Sequence, residues 1–466
     1  MFDPAELAAW CHGVWGGVLP DGLTGVSIDS RVVQPGELYV ALPGAHVDGH
    51  DYVDEALARG AAGAMVASTR YQDRGKERPL LYVQDTGAAL TALAKGHRAQ
   101  CAARFIGITG SVGKTSVKEI LADMLAKQGT TGRTHGNWNN ALGLPLSLLQ
   151  LPRDAAYGVY EIGMNHPGEL APLCDVLQPQ AAIITPIGPV HLENFDSVEC
   201  IADEKATLSR AVPRDGWVVL SVDDPYVSVL RRNVQARIVT VSMRDADADY
   251  RGSYDPGNKQ LIVCERHGAC APYPMPLPGA YMAENALRAI AAARTLGLEP
   301  EQLANALAGY KPPPMRWNNV TIAGVHFIND AYNANPVSMR AALDALREKP
   351  VEGRRWLVLA GMYELGPTGE KEHVELGAVV AEQDWAGLIA VGEYGAWIAE
   401  GARAAGMSEA RILRCGDTGE AATLLYQHAS PGDTVLVKAS RGEKLEQVLK
   451  EFENKKAADH GVQWEA

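Results

Sequence analysis

Seven consecutive residues, Thr109-Gly110-Ser111-Val112-Gly113-Lys114-Thr115, carry the strongest chemical signal in the chain. Glycines at 110 and 113 let the backbone turn so that successive N–H groups face phosphate oxygens. A helix opening at this point adds favourable partial charge. Lys114 supplies a cation for β- and γ-phosphates, and Thr115 a hydroxyl for Mg²⁺. The usual pattern has four residues between its first glycine and the Gly-Lys pair. Ile108 stands at that position, so this is a shortened loop. The expectation is ATP binding through residues 110–115. Two further groups could complete such a site: Glu161, closing the apolar run 157–160, and His191, a short Pro/Gly loop after Ala182–Thr185. A carboxylate suits Mg²⁺; an imidazole is a less usual partner for so hard an ion and suits Mn²⁺ as well. Taken alone, Glu161 also reads as a helix-cap or salt-bridge carboxylate, and His191 as a structural histidine.

The elements that must position these groups follow from periodicity. Arg104–Thr109 is an apolar strand leading into the loop, and Val117, Ile120, Leu121, Met124 and Leu125 keep helical spacing after it. Strand-like runs recur at 158–160, 182–185 and 217–220, separated by helical segments, which predicts a parallel α/β sheet. In such a sheet ligands gather beyond the carboxyl ends of the strands, where Glu161 and His191 fall. The run Pro312-Pro313-Pro314 reads as a stiff connector. Beyond it, strands at 355–359, 387–391 and 434–437 alternate with helix-like segments, predicting a second, Rossmann-like α/β domain. Before residue 98, turn-rich pieces alternate with short apolar strands such as Leu38–Leu42. The reading is α/β in three domains: a small first domain over 1–98, a central P-loop domain with a parallel sheet over 99–313, and a C-terminal domain over 314–466.

Composition agrees with a soluble globular chain. The 466 residues are 47% hydrophobic and 21% charged, and the net charge of −13 argues against nucleic-acid or membrane-surface binding. The seven cysteines are scattered without a Cys-x-x-Cys pair, so the expectation is reduced, mostly buried thiols in a cytoplasmic protein. The first residues, Met1 to Glu6, lack the basic and apolar regions of a signal peptide, and no apolar stretch is long enough to span a bilayer.

The motifs taken together resemble the Mur ligases, the ATP-dependent amide-forming enzymes of peptidoglycan precursor synthesis. In the central block the resemblance rests on the 109–115 loop, Asn137-Trp138-Asn139-Asn140-Ala141-Leu142-Gly143-Leu144-Pro145, Glu161-Ile162-Gly163-Met164 and His191-Leu192-Glu193. In the C-terminal block it rests on Asn329-Asp330-Ala331-Tyr332-Asn333-Ala334-Asn335-Pro336, Gly361-Met362, Glu364-Leu365-Gly366 and Lys438-Ala439-Ser440-Arg441. Asp29-Ser30-Arg31, Pro35–Leu38 and Asp48–Asp51 resemble the uridine-nucleotide domain of two members, and Tyr-Asn-Ala-Asn-Pro resembles the member that adds D-Ala-D-Ala.

The resemblance implies transfer of the ATP γ-phosphoryl to the terminal carboxylate of UDP-N-acetylmuramoyl-tripeptide, followed by attack of the D-Ala-D-Ala amine, in a monomeric enzyme. It implies Lys114 and Thr115 as phosphate and first-metal groups, Glu161 and His191 as metal groups, and Asn285, Arg316 and Asp330 as nucleotide contacts. Lys205 falls where several members carry a carbamylated lysine; by spacing alone it reads as a surface lysine paired with Asp203 or Glu204. Without the family, Arg316 and Asp330 read as an interdomain ion pair. Ser30, Arg31, Asn139, Asn140, Asn333 and Asn335 are the implied substrate contacts, although Asn333 and Asn335 also suit a turn. One departure stands out: Tyr281-Met282 replaces a common His-Asn pair, and Met282 cannot donate hydrogen bonds to adenine. The rivals are a related ligase that adds the third-position diamino acid or glutamylates a folate-like acceptor, a catalytically impaired nucleotide-binding regulator, and a P-loop kinase.

Overall fold

A computed structural model of the chain describes residues 1–71 and 77–459. Three sheets organise it, one per domain. In the first, the strands run Val14–Gly16, Leu80–Val83, Gly63–Ala67, Leu38–Val40 and Val26–Ser27 in spatial order, parallel except at the first pair. The expected strand 38–42 stops at Val40, because Leu42 and Pro43 turn the chain and Pro43 bridges to Asp48.

The central sheet has nine strands. Thr131–Arg133, Tyr157–Glu161, Arg104–Thr109, Ala181–Ile184, Trp217–Ser221, Arg237–Ser242 and Tyr250–Asp255 are parallel neighbours in that order. Gln260–Glu265 and Cys270–Pro274 then extend the edge antiparallel, so the sheet is mixed rather than wholly parallel. After Arg104–Thr109 the chain first returns on one side of that strand and later on the other, placing a topological switch point at its carboxyl end. The P-loop helix, Lys114–Leu125, buries Val117, Ile120, Leu121, Met124 and Leu125. It shares a core with the helix Ala280–Thr295, whose six buried alanines permit close approach to the sheet.

The antiparallel edge corrects the cysteine expectation. Cys264 and Cys270 sit directly opposite one another, 4.0 Å apart at Cα, and are joined as a disulfide. A six-residue separation does not reveal a hairpin; only strand register brings the two sulfurs together. The remaining cysteines are free, with Cys11, Cys101 and Cys174 buried.

The C-terminal sheet runs Asn318–Ile322, Val325–Asn329, Thr434–Lys438, Arg355–Leu359, Gly387–Val391 and Ile412–Cys415, parallel except at the first pair. The carboxyl ends of its middle strands therefore deliver Asp330, Lys438 and Gly361 to one rim. Among the described residues no helix is long and apolar enough to cross a membrane.

Candidate active site

Two glycines fix the phosphate loop. A Cβ at Gly110 (φ +151°) would lie 1.9 Å from Thr185 Oγ1, and one at Gly113 (φ +85°) would lie 2.3 Å from Asn285 Oδ1. Neither position admits a side chain without displacement. The Ser111 and Val112 amides donate to Pro186 O at 2.9 and 3.4 Å, and Ser111 Oγ donates to Gly188 O at 3.0 Å. The expected run of phosphate-facing amides is thus narrower: the amides free of this strut are those from Gly113 to Thr115, at the unpaired start of the helix. Lys114 Nζ donates to Gly110 O at 2.8 Å. Burial pulls its pKa below the ordinary lysine value, with Arg316 reinforcing and Glu161 opposing the shift.

Glu161, the last residue of its strand, is buried between two donors. Thr115 Oγ1 donates to Oε2 at 2.8 Å and Asn139 Nδ2 to Oε1 at 2.7 Å. Its own amide donates to Thr134 Oγ1, and the fully buried Lys118 donates to Thr134 O at 2.8 Å. Asn140 instead accepts from the Leu142 and Gly143 amides at the start of the helix Gly143–Leu149.

Lys205 is not a surface lysine. It lies in the helix Val198–Ala211 at 1% exposure, and among the described residues it has no ion pair. Asp203 pairs with Arg210 and Arg232, and Glu204 accepts from the Leu170 amide. Burial, then the charge of Lys114, holds the Lys205 amine well below the ordinary lysine pKa against Glu204 and Glu161.

A cavity of about 520 Å³ joins the loop to the C-terminal domain. Ser111 to Thr115, Glu161, Asn285, Met282, Arg316 and Asp330 all line it, as do Asn333, Asn335 and Lys438. Arg316 and Asp330 lie beyond the proline connector, yet they share this wall with Lys114. They do not pair with each other: Arg316 stacks 4.2 Å over the Tyr332 ring, and Asp330 Oδ2 meets Lys438 Nζ at 2.6 Å. Lys438 was visible within its motif, but nothing in the spacing assigned it to Asp330. Asn335 caps the helix Pro336–Glu348 by accepting from the Ser338 amide at 2.9 Å, and Asn333 accepts from Ala334. Both turn roles are therefore present in side chains that also face the cavity.

A second cavity, about 300 Å³, shares Ser111, Lys114, Asn333 and Asn335 with the first and adds His191, Glu364 and Arg441. His191, at φ +55°, brings Nδ1 to 2.5 Å from Glu364 Oε2 across the domain junction. That contact holds the Glu364 carboxyl below its ordinary range, against burial. Sequence reasoning missed Glu364, although its motif was recognisable. Ser30 and Arg31 lie in the first domain outside both cavities; Ser30 is buried and Arg31 pairs with Asp29 at 2.7 Å.

The donor set suits a hard cation held partly by phosphates. Among the described residues no cluster of three or more His, Cys, Asp or Glu could hold a metal alone. Mg²⁺ needs no such cage, because one or two protein oxygens and substrate phosphates suffice, and Thr115 and Glu161 offer those oxygens side by side.

A phosphate loop at a sheet switch point, opening on a cavity walled by a separate C-terminal α/β domain, defines a multidomain P-loop nucleotide protein rather than a one-domain kinase. Residues 108–293 match the Mur ligase middle domain, 315–441 the Mur ligase glutamate ligase domain, and 22–98 the Mur ligase family catalytic domain. The UDP-N-acetylmuramoyl-tripeptide–D-alanyl-D-alanine ligase of Bacillus subtilis (strain 168) is 33% identical over 92% of this chain and 93% of its own length. Among solved structures, MurF from Acinetobacter baumannii superposes with a TM-score of 0.86 at 28% identity, covering 97% of this chain and 99% of its own. MurF ligase from Thermotoga maritima in complex with ADP gives 0.79 at 27% identity, over 93% and 98%. The chain belongs to the Mur ligase family.

Proposed function

We propose that this chain is an ATP-dependent, ADP-forming ligase that joins D-Ala-D-Ala to the terminal carboxylate of UDP-N-acetylmuramoyl-tripeptide in peptidoglycan precursor synthesis. The observation that carries this reading is the wall shared by the phosphate loop and the Tyr332–Asn335 motif: Lys114, Asn333 and Asn335 line both cavities. The naming of the Bacillus subtilis relative supports the choice of amine.

A carboxylate is a poor electrophile and must first gain a leaving group. The tripeptide carboxylate takes the ATP γ-phosphoryl, forming an acyl phosphate and releasing ADP. The dipeptide amine then attacks the acyl carbon; phosphate leaves and the amine gives up a proton, leaving the amide. Lys114 carries positive charge to the transferring phosphoryl, and Arg316 adds charge from the far wall. Mg²⁺, with Mn²⁺ as a substitute, neutralises phosphate oxygens when bound. Thr115 and Glu161 are assigned to hold it, with His191 and Lys205 contributing. Burial favours the neutral form of the Lys205 amine, and reaction of that form with CO₂ gives a carbamate, an anionic oxygen donor, and a proton. Asn139 holds Glu161, and Asn285 and Asp330 face the nucleotide.

The domain limits belong to the same reading: 1–98 for the UDP-substrate, with Ser30 and Arg31 on it, 99–313 for ATP and 314–466 for the amine. The enzyme works as a monomer in the cytoplasm on these small molecules. The test is ADP release with UDP-N-acetylmuramoyl-tripeptide and, in turn, D-Ala-D-Ala, a diamino acid and glutamate. Turnover with D-Ala-D-Ala is expected; turnover with only one of the others overturns the assignment.

A further inference from the structure

The incoming dipeptide carries a charge at each end, and its carboxylate needs a cation that catalysis does not already use. Three basic side chains line the second cavity: Lys114, His191 and Arg441. Lys114 serves the phosphate and His191 is engaged by Glu364. Arg441 remains. Its Nη1 donates to Glu446 Oε1 at 2.6 Å and lies 3.5 Å from Met315 Sδ. Its Nε and Nη2 have no hydrogen-bond partner among the described residues. A guanidinium tied at one nitrogen and open along the Nε–Nη2 edge offers the two parallel donors that a carboxylate takes.

That guanidinium is half exposed, and the turn that carries it is braced. Glu446 restrains the side chain from one side, and the backbone around it is braced: the Ser440 amide donates to Gly361 O at 2.8 Å, and Ser440 Oγ accepts from the Tyr363 amide at 2.9 Å. Ser440 Oγ also lies 3.3 Å from Ala334 O, joining the Arg441 turn to the Tyr332–Asn335 loop. The Tyr363 ring lies over Gly442, where a Cβ would come within 2.4 Å of Tyr363 Cε2. Tyr363 and Gly442 line the same cavity as Arg441, which gives that cavity an aromatic face for methyl side chains.

We infer that Arg441 is the specificity-determining residue that grips the C-terminal carboxylate of the incoming dipeptide through its open Nε–Nη2 edge. This assignment rests on the functional reading above and names the group that recognises its second substrate. A dipeptide held there by its carboxylate extends into a cavity that Ser111 and Lys114 also line, so its amine is directed toward the activated acyl group.

The test compares D-Ala-D-Ala with D-alanyl-D-alaninamide, which lacks the negative charge, in the unsubstituted enzyme and in Arg441→Gln and Arg441→Lys. The unsubstituted enzyme should discriminate against the amide by about tenfold or more in kcat/KM, the scale of a charged hydrogen-bonded pair. Arg441→Gln should raise KM for D-Ala-D-Ala by a similar factor and abolish the discrimination, leaving KM for ATP and for the UDP-tripeptide unchanged. Arg441→Lys should fall between, keeping charge without the fork. Equal use of acid and amide by the unsubstituted enzyme, or undiminished discrimination in Arg441→Gln, overturns the assignment while leaving the function intact. A shift in KM for ATP or the UDP-tripeptide instead of the dipeptide also overturns it. No turnover of D-Ala-D-Ala by the unsubstituted enzyme overturns the functional reading itself, and this assignment with it.

Discussion

Thr115 Oγ1 lies 2.8 Å from Glu161 Oε2, although 46 residues separate them. One is in the first turn of the P-loop helix and the other ends the neighbouring parallel strand, so the contact exists only because Arg104–Thr109 and Tyr157–Glu161 are adjacent in the sheet. It places a hydroxyl and a carboxylate together beside the loop. Asn139 from a third segment completes the arrangement by occupying the other carboxylate oxygen.

Removing the loop cation separates catalysis from substrate binding. Lys114→Ala is expected to reduce ligation by at least about 10³-fold, by loss of charge stabilisation at the transferring phosphoryl. Affinity for the UDP-tripeptide, measured by calorimetry, should stay within about twofold, since a binding loss below RT is all that a distant site should feel. Parallel loss of that affinity would show that the first domain does not carry the UDP-substrate.

Gly113 is expected to be irreplaceable for steric reasons. In Gly113→Ala the new methyl meets Asn285 Oδ1 at 2.3 Å in a backbone conformation that costs an L-residue about 1–2 kcal/mol. Fluorescent ATP-analogue binding should weaken by about tenfold or more. Combining it with Asn285→Ala relieves the collision but not the backbone cost, so only partial recovery is expected.

Lys205→Ala should be nearly inactive, and short carboxylic acids should partly restore turnover by occupying the vacated anionic position. Lys205→Arg tests the carbamate directly, because guanidinium cannot form it and keeps its charge. Near-normal turnover in Lys205→Arg would remove the carbamate from the account.

Asp433 provides a stability prediction away from the site. It is buried, and it accepts from Arg354 Nη2 at 2.8 Å, Trp356 Nε1 at 3.1 Å and the Ser430 amide at 3.0 Å. Burial alone would raise its pKa, but Arg354 and these donors together hold it below the ordinary aspartate value. A lowered folded-state pKa means stability that is fully present above the unfolded value of about 4 and is lost as pH falls through the folded value. Urea titrations should therefore show the midpoint falling between about pH 5 and 3, and falling less in Asp433→Asn. At neutral pH that variant should lose about 2–3 kcal/mol, the usual cost of disturbing a buried charged hydrogen-bond set. An unchanged midpoint would contradict the burial and bonding described.

Features that depend only on neighbours along the chain were legible from the order of residues. The strands Arg104–Thr109, Arg355–Leu359 and Gly387–Val391 occupy the limits that their apolar runs set, and the helix after the loop buries its periodic residues. Loop, strand and helix are contiguous, so local geometry alone identifies a phosphate site, and the order of motifs identifies the family. Tertiary structure decided everything that required two distant segments to meet. It paired Asp330 with Lys438 rather than Arg316, set Glu364 against His191, and joined Cys264 to Cys270. It also withdrew Lys205 from solvent, where spacing in a helix suggested an exposed ion pair. These outcomes depend on strand order, register and the packing of whole elements. A charged side chain carries no local mark of which strand end will face it; only the assembled sheet edges fix its partner and the water it loses.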